Sequence, residues 1–304
     1  MSGYASKEEV LIEALPYIQT YENKTFVIKY GGAVMTDDAL KQTFAKDVTM
    51  LRKLGINIVV VHGGGKDITE TASKLGIESR FVDGRRYTDE QMIDVVLMTL
   101  AGKINKEIAG FITKNSGNAI GLCGVDNGLI RAKKLEGDVD LGLVGDITFI
   151  NTAFLSLLMK NDMIPVIAPI GLGEQGELYN INADDAANEI ATALKAEKLV
   201  YLSDTDGVIV DGQLVSTLSK SEANELIEQG KIYGGMIPKV NSAFEAIEAG
   251  VQKVHLINGG IKHSLLLEIF TNEGIGTEII NEDVPFSASS RRRAAQRILE
   301  GATR

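Results

Sequence analysis

Three consecutive glycines are the first feature of this chain whose residue type and position could do chemistry. Gly63, Gly64 and Gly65 follow residues 58–61, an apolar and mostly β-branched run, after one intervening histidine, His62. Glycine has no side chain to shield its backbone, so these N–H groups can donate to an anion. A helical pattern begins near residue 67. The glycines therefore lie between a strand end and a helix N-terminus, which favours phosphate or carboxylate.

Two lysines stand beside similar glycine turns. Residues 25–32 form a second predicted strand that ends in paired glycines, with Lys29 close to its end, and Lys239 follows another glycine pair. Lys29 interrupts a run that otherwise reads as buried, and a buried charge needs a partner. Phosphate, or a carboxylate such as Asp184, would satisfy it. Two cations and glycine N–H groups facing one space suit phosphoryl transfer, in which catalysis is mostly positioning and charge stabilisation.

The glycine run fits three other known motifs less well. A run of glycines after a strand is often only a tight turn. It lacks the Gly-x-x-x-x-Gly-Lys-Ser/Thr spacing of a Walker A loop and the Gly-x-Gly-x-x-Gly spacing of a dinucleotide fingerprint. His-Gly-Gly-Gly also occurs in esterase oxyanion loops, but those need a Gly-x-Ser-x-Gly elbow, which this sequence does not contain.

Composition excludes several classes of protein. The chain has 304 residues, is 44% hydrophobic and carries a net charge of −10, which argues against broad nucleic-acid binding. The single cysteine, Cys123, excludes an intramolecular disulfide framework and suits a reducing compartment. No apolar run reaches the ~18 residues of a membrane span, and no signal peptide is evident. We expect a soluble cytoplasmic protein without a membrane or nucleic-acid partner.

Strands alternate with helices through the first half of the chain, and the same strand, glycine turn and helix order returns in the second half. The predicted strands of the first half are 25–30, 56–61, 119–123 and 164–168, and the predicted helices are 37–54, 67–75, 89–115 and 151–161. Residues 142–149 are predicted as a short hairpin edge. Such alternation predicts a three-layer α/β/α sandwich with a mainly parallel central sheet. Ligands then bind at the carboxyl ends of the strands, where the glycine turns lie.

Outside this alternation the chain has two terminal segments. Residues 6–21 read as a helix with one apolar face that needs a partner, and Pro16 inside it predicts a kink. Residues 287–304 are rich in arginine, and we assign them no function. The glycine-rich segment 171–177 is the predicted boundary between two lobes.

Six segments carry a resemblance to a known family. They are 28–32, 62–65, 84–88, 180–184, 203–207 and 234–239. With them the chain resembles the amino acid kinase family and, within it, the acetylglutamate branch, over residues 8 to 279. The resemblance implies four parts: an N-terminal kinked helix (1–24), an acyl-amino-acid-binding lobe (25–175), a nucleotide-binding lobe (176–282) and a basic tail (283–304).

The resemblance implies that ATP phosphorylates the side-chain carboxylate of N-acetyl-L-glutamate to give N-acetyl-L-glutamyl 5-phosphate, the second step of arginine biosynthesis. Such a carboxylate has a reference pKa of about 4.3, so it is ionised at neutral pH and needs no general base. The obstacle is its repulsion by the triphosphate. Mg²⁺ carried by ATP would help to offset that repulsion, and no metal site of the protein's own is expected.

The resemblance also implies residue roles. Lys29 and Lys239 would stabilise the transferring phosphoryl group, and Asp184 would orient both lysines. The substrate-binding residues would be Gly64, Gly65, Arg86 and Asn180, with Arg86 clamping the α-carboxylate. The nucleotide-binding residues would be Gly31, Gly32, Ser203, Asp204, Gly234, Gly235 and Met236. Arg85, next to the clamp, could help to attract an anionic substrate or could face solvent, and we expect it to face solvent.

The N-terminal helix and the segments 254–260 and 265–277 resemble the arginine-sensitive, hexameric type of this branch. The resemblance implies a trimer of dimers joined by interlaced N-terminal helices, with arginine as a feedback inhibitor. The arginine site would consist of Tyr17, Lys198, His255, Glu268 and Gly274.

Two alternatives stay open at the sequence level. One is a sister kinase for another N-acyl amino acid such as N-acetyl-aminoadipate, because discrimination against one methylene is worth only ~1–3 kcal/mol. The other is a non-catalytic metabolite sensor that kept the fold.

Overall fold

A computed structural model describes residues 7–271 and 274–281, without the side chains of residues 7–11, 13 and 33. The basic tail predicted over residues 283–304 lies outside the described residues. The α-helices in chain order are α1 (Lys7–Tyr21), α2 (Asp38–Lys53), α3 (Gly65–Lys74), α4 (Glu90–Leu97), α5 (Asn105–Lys114), α6 (Thr152–Lys160), α7 (Ala183–Ala193), α8 (Lys220–Glu228), α9 (Met236–Glu248) and α10 (Ser264–Phe270).

The four strands predicted for the first half of the chain are present within one residue of their predicted bounds, and further short strands accompany them. In chain order they are β1 (Thr25–Tyr30), β2 (Asn57–His62), β3 (Phe81–Val82), β4 (Arg85–Arg86), β5 (Ala119–Cys123), β6 (Ile130–Lys134), β7 (Gly145–Ile150), β8 (Ile164–Ala168), β9 (Ile170–Leu172), β10 (Leu178–Asn180), β11 (Lys198–Ser203), β12 (Ile209–Val210), β13 (Gln213–Leu214), β14 (Thr217–Leu218), β15 (Lys253–Asn258) and β16 (Thr277–Ile279).

Eight strands form the central sheet, in the order β14-β16-β15-β11-β1-β2-β8-β5. Six of them run parallel, and β16 and β14 run the other way because β15 pairs with β16 in antiparallel fashion. Each half of the chain contributes four neighbouring strands, which meet where β1 pairs with β11. The mainly parallel α/β fold expected from the sequence is confirmed.

Alternation along β1 decides which side chains enter each layer. Phe26, Ile28 and Tyr30 pack into the apolar core on one face, and Val27 packs into the core on the other face, beneath α7. Successive side chains of a strand point to opposite faces, so Lys29 lies on the same face as Val27. Lys29 therefore reaches toward the first turn of α7.

Polar caps start the helices near the site. Asp37 accepts hydrogen bonds from the backbone N–H groups of residues 39 and 40 and begins α2. Asn182 does the same for Asp184 and Asp185 at the start of α7, at 2.7 and 3.3 Å. Such caps satisfy N–H groups that have no partner inside the helix. The cap at Asn182 fixes both carboxylates in the first turn.

Two predicted elements differ from the structure. Residues 142–149, predicted as a hairpin edge, contribute β7, which is an edge strand paired antiparallel with β6, but it belongs to a second sheet with the order β10-β9-β6-β7. The predicted long helix 89–115 is interrupted by a π-helix, Met98–Ile104, between α4 and α5. Hydrophobic periodicity detects a helix but not its local winding, and strands as short as β9 and β10 give almost no periodic signal.

The glycine-rich segment predicted as a lobe boundary forms a hairpin turn. It connects β9 to β10, and the Gly173 N–H donates to the Glu177 carbonyl at 2.8 Å. The division into an N-terminal helix and two lobes stays a prediction. None of the helices within the described residues is long and apolar enough to cross a membrane.

Candidate active site

The two glycine turns meet at the carboxyl ends of neighbouring strands. β1 and β2 pair in parallel, and the Gly63 N–H donates to the Tyr30 carbonyl at 2.9 Å. Gly32 has a φ of +74°, which favours glycine, and a Cβ there would lie 3.4 Å from the backbone nitrogen of Asp204. The first turn therefore touches both the second turn and the end of β11.

An ion pair joins β1 to α7. The Lys29 Nζ atom lies 2.8 Å from Asp184 Oδ1, with side-chain exposures of 16% and 35%. A Cβ on Gly31 would lie 2.9 Å from Lys29 Nζ, so the ammonium group rests above that glycine. The expected pairing of Lys29 with Asp184 is present. Among the described residues Asp184 forms no ion pair with Lys239, the second lysine it was expected to orient.

Arg86 reaches the site from β4 and is itself held by three contacts. Its Nη1 donates to Ser79 Oγ at 2.6 Å, and its Nη2 donates to the Gly65 carbonyl and Thr69 Oγ1, both at 2.9 Å. The guanidinium also lies over the Phe81 ring at 4.6 Å. Burial lowers the pKa of Arg86, but a guanidinium stays charged. Two of its five N–H groups have no partner among the described residues.

A cavity of about 230 Å³ is lined by all four predicted substrate-binding residues. Its walls include Lys29, Gly64, Gly65, Arg86, Asn180 and Asp184. Asn180 also donates to Thr88 Oγ1 at 3.1 Å, which fixes its amide. Arg85 is not simply solvent-facing as expected, because it lines the cavity and its Nη2 donates to Asp185 Oδ2 at 3.0 Å.

A second cavity, of about 540 Å³, lies in the second half of the chain. Its walls include Asp204, Gly235, Met236 and Lys239, all of which were predicted to face the nucleotide or the phosphoryl group. Ser203 lies at the end of β11, where its hydroxyl is 2.9 Å from that of Thr205. Gly234 precedes α9 with a φ of +57°. Ser203, Gly234, Gly31 and Gly32 border this region without lining either cavity.

The residues predicted for arginine form a separate, buried cluster. Lys198 Nζ lies 2.8 Å from His255 Nε2, and His255 Nδ1 lies 2.7 Å from Glu268 Oε1. Glu268 Oε2 accepts the N–H groups of residues 275 and 276, at 2.7 and 3.0 Å. Burial and the neighbouring Lys198 lower the pKa of His255. The three side chains therefore contact one another in a chain, and none of them lines either of the two cavities described above.

The other two residues predicted for arginine lie beside this cluster. Tyr17 of α1 stacks on Tyr21 with ring centroids 6.3 Å apart, and Lys198 Nζ lies 5.0 Å from the Tyr21 ring centroid. The N–H of Gly274 donates to Thr271 Oγ1 at 3.2 Å. The structure thus brings α1 to the cluster through Tyr21.

Sequence reasoning missed several residues that shape these sites. Ser79, Thr69 and Thr88 hold Arg86 and Asn180, but isolated hydroxyl residues carry no motif. Glu278 was also missed. Burial acts to raise the pKa of Glu278, but the charges of Lys198 and Lys253 and a hydrogen bond from Lys253 at 2.8 Å outweigh it and hold that pKa well below its usual range. Within the described residues, no group of three or more His, Cys, Asp or Glu side chains could hold a metal ion.

Comparison with known proteins defines the class to which this fold and site belong. The profile of the amino acid kinase family matches residues 24–258, most of the chain. The chain therefore belongs to the amino acid kinase family. Carbamate kinase from Giardia lamblia bound to AMP-PNP has the same fold, with a TM-score of 0.61, 18% identity and coverage of 86% of this chain and 99% of that chain.

Within the family the similarity is to acetylglutamate kinases. The acetylglutamate kinase of Chlorobaculum tepidum is 58% identical over 273 residues, 90% of this chain and 96% of that protein. That of Aquifex aeolicus is 51% identical and covers 93% of this chain and 100% of its own length. The structure of N-acetylglutamate synthase from Neisseria gonorrhoeae complexed with coenzyme A and N-acetyl-glutamate superimposes with a TM-score of 0.82. The identity to it is 29%, and the match covers 98% of this chain and 70% of that chain.

Proposed function

We infer that this chain is an ATP-dependent kinase that phosphorylates the side-chain carboxylate of N-acetyl-L-glutamate to N-acetyl-L-glutamyl 5-phosphate, in arginine biosynthesis. Relatives 51–58% identical over most of the chain support the reaction. The observation that carries it is the cavity in which Lys29, Asp184, the glycine turn and Arg86 converge. A carboxylate acceptor fits this site, because its binding needs cations and N–H donors but no general base.

We place the transferring phosphoryl group above the Gly31–Gly32 turn. Gly31 lies against Lys29, because a Cβ on Gly31 would be 2.9 Å from Lys29 Nζ. Gly32 lies against Asp204, because a Cβ on Gly32 would be 3.4 Å from the Asp204 backbone nitrogen. Asp204 lines the larger cavity and Lys29 lines the smaller one. The turn therefore separates the proposed nucleotide cavity from the proposed acyl-substrate cavity, where a phosphoryl group must cross.

Positive charge on both sides of the turn supports the chemistry. Lys29 and Lys239 would neutralise charge that develops on the phosphoryl oxygens, and Asp184 would hold Lys29 in place. Donors fixed in advance need no reorganisation when the carboxylate oxygen attacks phosphorus and the bond to the leaving ADP breaks. Mg²⁺ held by the ATP phosphates would supply further charge stabilisation.

Arg86 and Asn180 are proposed to hold the α-carboxylate end of the substrate. The three contacts that Arg86 makes to Ser79, Thr69 and Gly65 fix its guanidinium plane before substrate arrives. Its two remaining N–H groups can donate to a carboxylate. Gly65 begins α3, so N–H groups of the first helical turn add to the attraction of an anion.

The nucleotide is proposed to occupy the larger cavity, against Asp204, Gly235 and Met236, with Ser203 and Gly234 shaping its rim. Its volume of about 540 Å³ suits a nucleotide better than the smaller cavity of about 230 Å³ does. The lobe assignment, with the acyl substrate at residues 25–175 and ATP at 176–282, is part of the same proposal. We also place the enzyme in the cytoplasm, in keeping with its one free cysteine.

Acetylglutamate-dependent formation of ADP, followed by a coupled assay, tests the reaction. A parallel reaction with N-acetyl-aminoadipate distinguishes this enzyme from a sister kinase. A reaction without acceptor measures ATP hydrolysis that is not coupled to phosphoryl transfer. We expect turnover with acetylglutamate at least tenfold above that with the longer acid. Equal or greater turnover with N-acetyl-aminoadipate, or no turnover with either, would contradict the assignment.

Feedback inhibition by arginine and a hexamer of interlaced α1 helices are further proposals. They are supported by the cluster of Lys198, His255 and Glu268, whose charges suit a zwitterionic amino acid, and by the contact of Tyr21 with Lys198. The guanidinium of bound arginine would replace the present hydrogen-bond partners of Glu268. Its binding near the C-terminal end of α1 would favour a hexamer geometry in which the active site is open. Arginine can shift the equilibrium between the open and closed states only by the difference in its affinity for them.

A further inference from the structure

His62 directly precedes the glycine turn, and the reaction described above does not use it. Its side chain is fully buried at the end of β2. Nδ1 of the ring lies 2.8 Å from the carbonyl oxygen of Gly63. A carbonyl oxygen only accepts, so this contact is a hydrogen bond if Nδ1 carries the proton.

Asn105 fixes the other side of the ring. It begins α5, where the π-helix ends, and its Nδ2 lies 2.8 Å from the Val166 carbonyl, 3.1 Å from the Leu122 carbonyl and 3.2 Å from His62 Nε2. Two carbonyl acceptors identify this atom of Asn105 as the NH₂ group. Nε2 of His62 must then be unprotonated, since two donors cannot face each other, and the proton belongs on Nδ1.

The surroundings leave Asn105 no other position. A Cβ on Gly121 would lie 2.2 Å from Asn105 Oδ1, so a glycine in β5 makes room for the amide. Lys106 Nζ donates to the same Oδ1 at 3.1 Å. Burial first, and then the charge of Lys106, lower the pKa of His62 to about 4 against the opposing effect of the Gly63 carbonyl. The imidazole is therefore neutral at physiological pH and is no acid–base catalyst there.

The orientation of the Gly63 carbonyl determines where the next N–H points. The Gly63–Gly64 peptide is trans, so its C=O and N–H point in opposite directions. Because the carbonyl faces the buried ring, the Gly64 N–H points away from that ring. Gly63, Gly64 and Gly65 all line the smaller cavity. Leu100 and Ile104 of the π-helix pack directly against Gly64. A Cβ on Gly64 would lie 2.5 Å from Leu100 and 2.4 Å from Ile104, so no larger residue fits there.

We propose that His62 is a positioning residue: held by Asn105 as the Nδ1–H tautomer, it turns the Gly63 carbonyl inward and so aims the Gly64 N–H at the reacting carboxylate and phosphoryl oxygens. This inference rests on the function proposed above. The N–H then stands in place before substrate binds, which is how fixed donors contribute to catalysis. The π-helix, which places Asn105 and presses on Gly64, serves the same purpose, in line with the frequent occurrence of such segments at functional sites.

Three variants test the kinetic part. His62→Leu fills the space but removes both polar contacts, and we expect kcat to fall roughly 10- to 100-fold, since small displacements of reacting groups cost rates of this size. His62→Asn places an amide nitrogen where Nδ1 stood, and it should restore kcat to within about threefold of the native enzyme. Val60→Ala, two residues earlier on the same strand face, is the control for lost packing, and it should lower stability while leaving kcat unchanged.

Equal loss of kcat in the Leu and Asn variants, or a similar loss in Val60→Ala, would overturn the positioning role. Should His62→Leu fail to fold, the comparison of His62→Asn with Gly121→Ala decides. Gly121→Ala displaces Asn105 from behind and should lower kcat, with KM for ATP preserved. Normal kcat in Gly121→Ala would overturn the proposal.

Nitrogen NMR of histidine-labelled enzyme supplies a readout independent of turnover. The chain has three histidines, so the His62 signals are assigned by loss in His62→Asn. We expect a neutral Nδ1–H tautomer from pH 8 to pH 5. An Nε2–H tautomer, or an imidazolium that forms near pH 6.5, would refute the proposal even in an active enzyme. Absence of acetylglutamate kinase activity in the native enzyme would instead refute the function while leaving the tautomer result intact.

Discussion

Lys29 on β1 and Asp184 on α7 are joined by an ion pair of 2.8 Å, although the two residues come from opposite halves of the chain. The pair forms because Lys29 shares a strand face with Val27, beneath α7, while the Asn182 cap holds Asp184 in the first helical turn. Asp184 thereby keeps the ammonium group above Gly31, where it can meet a phosphoryl oxygen.

Removing the Lys29 ammonium should slow the chemical step. Lys29→Ala is expected to lower kcat roughly 100- to 1000-fold, the usual loss for one transition-state donor, and Lys239→Ala should behave similarly. Steady-state kinetics with both substrates varied measures this. Lys24→Ala is a matched control, because Lys24 lies outside both cavities and its half-exposed side chain forms an ion pair with Glu197 at 3.4 Å. Near-normal kcat for Lys29→Ala would show that its proposed role is wrong.

The fork geometry of Arg86 should set the affinity for acetylglutamate. Arg86→Lys keeps the charge but cannot donate to Ser79, Thr69, the Gly65 carbonyl and a substrate carboxylate together. We expect KM for acetylglutamate to rise at least tenfold, with a smaller change in KM for ATP. Arg131→Lys, whose guanidinium lies over Phe149 in the second sheet, provides the comparison. A change confined to KM for ATP would count against the clamp.

Burial of neutral His62 makes stability depend on acid pH. The pKa of His62 is lowered to about 4, whereas an unfolded histidine titrates near 6.5. Between about pH 6.5 and pH 4 the unfolded state binds a proton at His62 and the native state does not. The free energy of unfolding therefore falls as the pH falls, by roughly 3 kcal/mol between these two values. Urea denaturation at pH 7 and pH 4.5 should show a smaller acid loss for His62→Asn than for Val60→Ala. Parallel losses would exclude His62 as the source.

Removing the N-terminal helix should change the assembly. Deletion of residues 1–21 takes away α1 with Tyr17 and Tyr21, and light scattering should then report dimers in place of hexamers. Full-length enzyme at the same concentration is the reference. An unchanged particle mass would mean that another surface joins the subunits.

Arginine sensitivity should depend on Glu268. Glu268→Gln removes the charge proposed to pair with the arginine guanidinium, so the arginine concentration for half-inhibition should rise at least tenfold. Turnover without arginine should stay nearly intact, because Glu268 lines neither cavity of the cleft. Glu225→Gln, on the exposed face of α8, serves as the control. Native enzyme indifferent to millimolar arginine would end this proposal.

Sequence patterns were enough to predict the parallel α/β class, the positions of β1, β2, β5 and β8 within a residue or so, and the set of glycines and charged residues at the strand ends. These features follow from local rules, because β-branched runs, helical periodicity and glycine turns each leave a signal within a few residues. The resemblance supplied roles for Arg86 and Asn180, which no local pattern marks.

Which of these residues meet became visible in the folded chain and not in the sequence. Within the part of the chain that the structure describes, Asp184 pairs with Lys29 but not with Lys239, Arg85 turns toward Asp185, and Lys198, His255 and Glu268 form one buried network. The folded chain also contains the π-helix and the second sheet, and it places Asn105 against His62. These contacts join residues far apart in the chain, so they depend on helix packing and strand order, which spacing along a single sequence does not encode.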